Sequence, residues 1–520
     1  MNSLTWYGKK LQHLCTKSWN LAKLFIHSHY RDILFKVNPF FIYLFYFISL
    51  PFLGFGVLKS LNPRSPNFAP RDIDLLFTSV SAATVSSMST VEMEVFSDSQ
   101  LIFMTVLMFV GGEVFTSMLG LHLRRLKNVE TWKGEEKIGP VSFISSEEIE
   151  MGSISRPGSR PDGENPFIEY DSINFLGFVV WGYLLVFHIL GVFSVLVYLS
   201  LIRSARGVLR RKGLKILTFA VFTTVSSFSN CGFVPTNENM IVFGKNSGLL
   251  LILIPQILFG NTLFPPGLRL AVWAVGKRFK KAEARYLLHN ENEARYTHFL
   301  PRAHIPFLVG TVFGFILIGF VLLCAMEWDS IGLSGLGSYQ KVVGVIFLCV
   351  NARHAGETIV DLSTIAPAIL AFFVVMMYLP PYASFVPIKR DDQIHEDSKL
   401  GRKEIKRTRI AENILFSQLS YLAIFIIIIC ITERKSLKND PMNFSVLNII
   451  VEVISAYGNV GFTTGYSCDR LIRPHRNCVN KWYGFSGKWS DEGKIVLIVV
   501  MIFGRLKKFN MNGGQAWKLL

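Results

Sequence analysis

The amino-acid sequence predicts an all-α integral membrane protein: four span, pore-loop, span repeats in one chain, giving eight transmembrane helices and four re-entrant pore helices around a central pore. Three observations carry this. Of 520 residues, 50% are hydrophobic and 13% aromatic, while only 18% are charged, below the quarter usual in soluble domains. Apolar runs long enough to cross a bilayer recur along the chain. A shorter, more polar segment follows every odd-numbered run, and such an internal repeat has to be seen before any local motif is interpreted.

Spans are predicted at 39–61, 100–121, 173–201, 248–275, 305–326, 367–386, 414–431 and 495–509. Between them, 72–87, 217–232, 341–356 and 447–461 are apolar but too short or too polar to cross. The residues repeat as well as the hydropathy. Phe77-Thr78-Ser79-Val80-Ser81 precedes Ser87 by the distance at which Phe222-Thr223-Thr224-Val225-Ser226 precedes Gly232, and the fourth copy carries Ser455 at the matching place. The third copy diverges most, with Arg353 and His354 just before Gly356. The chain then divides into a cytosolic N-terminus (1–37), repeat 1 (38–122, pore loop 72–90) and a cytosolic linker (123–172). Repeat 2 (173–276, pore loop 217–236) and a cytosolic loop (277–304) follow, then repeat 3 (305–388, pore loop 341–360) and a second cytosolic loop (389–412). Repeat 4 (413–520, pore loop 447–465) includes the C-terminus.

A formal net charge of +17 would suggest nucleic acid in a soluble protein. Here Lys and Arg cluster between apolar blocks, at 277–281 and 402–409, as cytosolic loops do, and no nucleic-acid module accompanies them. Membrane lipid, not nucleic acid, is the expected surrounding, with both termini cytosolic. The six basic residues of 203–215 run against this orientation; the acceptor triplet Asn443-Phe444-Ser445, a possible glycosylation site in a loop expected outside, favours it. The first 37 residues are basic and aromatic, without the apolar core of a secretory signal. Residues 129–171 are rich in Ser, Glu, Gly and Pro and read as a flexible loop. Of seven cysteines, Cys231, Cys324, Cys349 and Cys430 lie in apolar stretches as buried thiols. Cys468 and Cys478 flank a polar loop in which a disulfide is chemically allowed if the loop is extracellular.

A short helix that enters a membrane and returns must line water or be wrapped by protein. Four such elements around one axis make a ring whose turn carbonyls replace water around a cation. Gly232, Gly356 and Gly461 occupy three of the turns and Ser87 the fourth; glycine reaches backbone angles closed to other residues. One such Gly alone would be read as helix packing, but four registered turns outweigh that reading. No Walker A loop, HExxH or paired CxxC is present, so neither an enzyme nor an ATP-driven pump is expected, and no cofactor. Charges inside spans need partners, which concerns Glu113, Arg269, Glu452 and Arg505. Near the expected mouth, Glu92, Glu94 and Asp98 are read first as solvated surface and second as cation-concentrating charge.

Four ordered strings resemble the pore loops of the plant HKT family of the Trk/Ktr/HKT cation-transporter superfamily. They are 79–90 (SVSAATVSSMST), 230–239 (NCGFVPTNEN), 353–358 (RHAGET) and 458–465 (GNVGFTTG). The resemblance covers nearly the whole chain from the first span onward. It implies a single-chain pore with passive, electrochemically driven movement of Na+ and sometimes K+, filter positions at Ser87, Gly232, Gly356 and Gly461, and Na+ selectivity from the Ser at the first. Flanking residues are Val85, Ser86, Asn230, Cys231, His354, Ala355, Asn459 and Val460; the neutral Asn230 adds no charge near the ion path. The resemblance further places Arg505 beneath the filter as a barrier, with an ion pair to Glu452 or Glu113 as the structural alternative. A homodimer, plasma-membrane location and a role in retrieving Na+ from the xylem and in salt tolerance are also implied. A Na+/K+ symporter or mixed channel on the same scaffold is the alternative.

Overall fold

The computed structural model describes residues 39–64, 70–123, 166–290, 296, 298–382, 418–471 and 478–510. The N-terminal segment 1–37, most of the linker 123–172, the loop 389–412 and residues 511–520 lie outside the described residues.

Helix α1 (Pro39–Ser60) leads to the short α2 (Asp72–Ala83), then to α3 (Asp98–Gly111) and α4 (Glu113–Leu123). Next come α5 (Pro166–Leu201), α6 (Arg203–Arg211), α7 (Ile216–Ser229), α8 (Ser247–Gly260), α9 (Phe264–Phe279) and α10 (Ala282–His289). Then follow α11 (His304–Glu327), α12 (Ser338–His354), α13 (Pro367–Tyr378), α14 (Gln418–Thr432), α15 (Arg434–Asn439), α16 (Val446–Gly458) and α17 (Asp491–Asn510). The described residues form no strand, only an isolated bridge between Tyr466 and Lys481.

Polar groups are buried beside an apolar core, and large apolar side chains stand exposed. Ser79, Ser81, Thr223, Thr224, Ser226 and Ser455 are fully buried, whereas Phe45, Phe178 and Leu201 are each more than 70% exposed. Some of the buried hydroxyls bond within their own helix, as Thr78 does to Asp74 O at 2.8 Å, and Ser79 reaches across to Pro51 O of α1 at 2.7 Å. Helix starts are set by caps. Ser97 and Gln100 form a capping box at α3, and the Gln100 amide also donates to Leu58 O and Leu61 O, tying α3 to the end of α1.

The four short helices α2, α7, α12 and α16 pack in a closed cycle. Each touches the long helix before it, the helix after it, and one helix of the preceding group: α7 meets α3, α12 meets α8, α16 meets α13, and α2 meets α17. Two ion pairs seal the last junction, Lys494 with Asp74 at 2.8 Å, almost fully buried, and Asp491 with Arg71 at 3.1 Å.

Several predicted spans are altered. The run 100–121 is bent by 53° between α3 and α4, and 248–275 by 85° between α8 and α9. At the first break Gly112 is extended, with ψ 149°; at the second, Pro265 and Pro266 start a new helix. The run 367–386 stops as helix at Tyr378, ahead of Pro380 and Pro381. By length and apolarity three described helices suffice to cross a bilayer, Phe40–Ser60, Asp171–Leu201 and His304–Glu327, or five if each bent pair is one span.

Candidate functional site

Each of the four short helices ends just before a turn that carries a left-handed residue: Ser87 (φ 53°), Gly232 (φ 90°), Gly356 (φ 75°) and Gly461 (φ 97°). The turns abut one another in sequence. A Cβ on Gly232 would lie 1.6 Å from Ala355 O, one on Gly356 2.0 Å from Val460 O, and one on Gly461 2.3 Å from the Ser87 Cβ. The Cys231 thiol meets the backbone of Ser87, which closes the ring. Cys231, Ala355 and Val460 thus form the seams between neighbouring turns. At Gly461 both conditions that demand glycine hold together, a positive φ and no room for a Cβ.

Three turns carry a second left-handed residue two positions earlier, Val85, Asn230 and Asn459, whereas His354 ends α12 as helix. The two asparagines do the same job. Asn230 donates from Nδ2 to Ile257 O of α8 at 3.2 Å, and Asn459 donates to Met501 O of α17 at 3.1 Å. The amide of Asn230 therefore clamps its turn to the outer helix. Asn459 also donates to Ser86 Oγ at 2.8 Å, linking the fourth turn to the first. The ring amides are held too: Gly232 N donates to Ser226 Oγ and Gly461 N to Ser455 Oγ, both at 3.0 Å. In the third turn, where no Ser is available, Glu357 N donates to Asn351 Oδ1 at 3.0 Å.

A further set of residues escaped the sequence reading. A Cβ on Gly111 would lie 2.1 Å from Ala83 O, on Gly260 1.8 Å from Phe228 O, and on Gly504 2.0 Å from Tyr457 O. Each of those carbonyls belongs to the residue four before the ring position. The signal was present as a Gly at one register in three outer helices, but unequal loop lengths hid the alignment.

On one side of the ring lies a cavity of about 120 Å³, lined by Ser87, Gly356 and Gly461 together with Thr236, Glu238 and Tyr483. On the other side Arg505 follows Gly504 and is fully buried. Its Nη2 donates to Gly111 O at the end of α3, its guanidinium stacks 5.5 Å from the Phe47 ring, and Glu113 and Tyr382 lie within electrostatic reach. Glu113 accepts from Tyr382 Oη at 3.3 Å, and His298 Nδ1 sits 2.9 Å from the same hydroxyl. Of the two carboxylates considered as partners, Glu113 is the near one. Glu452 instead accepts from Ser486 N at 2.9 Å and braces the loop before α17.

At the rim, Glu94, Asp98 and Glu92 are partly exposed, and each pairs with a lysine. Lys212 binds Glu94 at 2.8 Å and Glu238 at 2.6 Å, Lys215 binds Asp98 at 2.9 Å, and Lys481 binds Glu92 at 3.3 Å. Glu94 and Asn237 also exchange backbone-to-side-chain bonds, latching the loops after the first two turns. The basic segment 203–215 thus carries part of its charge to meet these acids. Asn443 is fully buried in this fold, and its Nδ2 donates to Asp440 Oδ2 and Ser467 O. Cys468 and Cys478 are joined in a disulfide, with Cα atoms 5.8 Å apart.

A helical chain with a fully buried polar ring, an apolar exterior and a fixed Arg below the ring is built as a membrane transport protein for small cations. Comparisons with known proteins agree. Residues 159–511 match the family model TrkH, Cation transport protein. The chain is 47% identical to Cation transporter HKT1;3 of Oryza sativa subsp. japonica over 98% of both chains. It is 49% identical to Sodium transporter HKT1 of Arabidopsis thaliana over 89% of this chain and 91% of that one. The crystal structure of the potassium transporter TrkH from Vibrio parahaemolyticus shares the fold, with a TM-score of 0.50 at 14% identity over 91% of this chain and 84% of that one. The chain belongs to the HKT family of cation transporters, within the TrkH superfamily; the family is one of ion transporters, not enzymes.

Proposed function

We propose that this HKT protein conducts Na+ passively across the plasma membrane, through the ring formed by Ser87, Gly232, Gly356 and Gly461. In this reading the chain crosses the membrane eight times, α2, α7, α12 and α16 are re-entrant, and both termini are cytosolic. A homodimer with one pore per chain, and Na+ retrieval from the xylem as the role in a plant, complete the proposal. The observation that carries it is Ser87, the one ring position that is left-handed without being glycine. Its side chain borders the Gly461 turn, where an added Cβ would lie 2.3 Å from the Ser87 Cβ, so Ser adds bulk to the ring on that side. A narrower, less adaptable ring disfavours the larger K+. Sodium transport by the Arabidopsis relative supports the same cargo.

The test is voltage-clamp current in oocytes, exchanging external Na+ and K+, for the parent and Ser87→Gly. Reversal that follows Na+ alone in the parent, with K+ permeability gained in the variant, is the expected result. Parent reversal that tracks both ions means symport or a mixed pore and removes the Na+ reading.

A further inference from the structure

We infer that the basic pocket between α9, α10 and the start of α11 binds the phosphorylated headgroup of an anionic membrane lipid. This pocket, about 1030 Å³, lies away from the ring and is lined by Lys277, Lys280, Lys281, Arg285 and Arg302, with no Asp or Glu in its described lining.

The chain builds this wall deliberately. Helix α9 leaves α8 at 85°, ends with Lys280 left-handed at φ 51°, and turns at once into α10, which packs back on α9 and α5. The turn is tight, since a Cβ on Gly276 would lie 2.4 Å from the Ala284 Cβ. Lys277, Lys280, Lys281 and Arg285 are thereby gathered, exposed, on one concave surface. Several lysines elsewhere are matched with carboxylates, as at Lys212, Lys215, Lys481 and Lys494. These four residues make no ion pair among the described residues. Like charges held together repel, and a bound polyanion removes that cost.

The pocket is also half apolar, which selects a lipid over a soluble phosphate. Leu270 and Trp273 line it and are 61% and 50% exposed. Lys277 Nζ sits 5.0 Å over the Trp273 ring, placing an amphipathic indole between acyl chain and charge, as at bilayer interfaces. In the orientation proposed above, on which the choice of leaflet rests, the pocket faces the cytosolic leaflet, where anionic lipids reside.

The test is native mass spectrometry of the full-length protein purified in detergent. The probes are dioctanoyl phosphatidylinositol 4,5-bisphosphate and dioctanoyl phosphatidylcholine, with inositol 1,4,5-trisphosphate as soluble competitor. The parent should retain the bisphosphate lipid over phosphatidylcholine, and the variant K277Q/K280Q/K281Q/R285Q should lose it by at least about tenfold, given the attraction each basic residue supplies. Trp273→Ala should weaken the lipid while leaving the competitor's binding unchanged. Equal lipid retention in parent and quadruple variant, with the variant's melting temperature intact, overturns the site. Full displacement by an equal concentration of inositol trisphosphate overturns the lipid as its occupant. Na+ current is recorded for the same proteins, so a parent that binds lipid but carries no current refutes the transport reading and leaves this inference standing.

Discussion

Ser87 holds a backbone conformation that costs an L-residue roughly 1–2 kcal/mol relative to the right-handed region, and it holds it at φ 53° while its Oγ packs on the neighbouring turn. Replacement by Gly should therefore raise thermal stability by about 1 kcal/mol even as selectivity falls, measurable as a melting shift of the purified protein. Gly461→Ala is the opposite case. With φ 97° and a Cβ placed 2.3 Å from Ser87, it should lose more than about 3 kcal/mol and abolish current, and combining it with Ser87→Gly should return part of that loss in a double-mutant cycle. At the rim, Lys212 neutralises two acids. Burial pulls its pKa down, but hydrogen bonds and charge from Glu238 and Glu94 outweigh this and hold it above the ordinary lysine value. Because the folded value is raised, the latch is fully formed below the ordinary lysine range and is lost only as pH rises through the folded value. Lys212→Gln should leave Glu94 and Glu238 as net negative charge and increase current at low external salt, an effect that disappears at high salt as screening sets in.

The outer helices show how an element is broken for a purpose. Gly111, Gly260 and Gly504 let their helices approach the carbonyl ends of α2, α7 and α16. In the first two outer helices the chain bends right after the contact, whereas α17 continues through it as helix and places Arg505 there. Gly260→Ala should destabilise by about 2–3 kcal/mol through overpacking against Phe228 O, read as reduced surface expression and a lower melting temperature. Gly56→Ala on α1, where nothing lies within 4 Å, should instead stabilise by about 0.5–1 kcal/mol, because Ala is the better helix former.

Closure of the ring depends on the join between α17 and α2, the sequence-distant end of the cycle. Lys494 is almost fully buried against Asp74, which also accepts from Arg71 at 3.0 Å. Lys494→Met leaves Asp74 with only the more exposed Arg71 as partner, so it should cost up to about 3 kcal/mol, less than a fully orphaned buried charge. Lys494→Met with Asp74→Leu should recover most of it. The comparison is made by thermal melting of the purified single and double variants; equal losses in both would mean that the pair does not secure the join.

The sequence by itself determined the membrane class, the short helices before Ser87, Gly232, Gly356 and Gly461, and the resemblance to the HKT family. These follow from hydropathy and from glycine at turns, properties of residues near one another in the chain. Only the tertiary structure decided the clamping role of Asn230 and Asn459, the choice of Glu113 over Glu452 beside Arg505, and the burial of Asn443. Each depends on a partner more than twenty residues away, such as Ile257 for Asn230 and Met501 for Asn459. An amide facing an ion and an amide clamping a helix are the same letter until the distant carbonyl is in place.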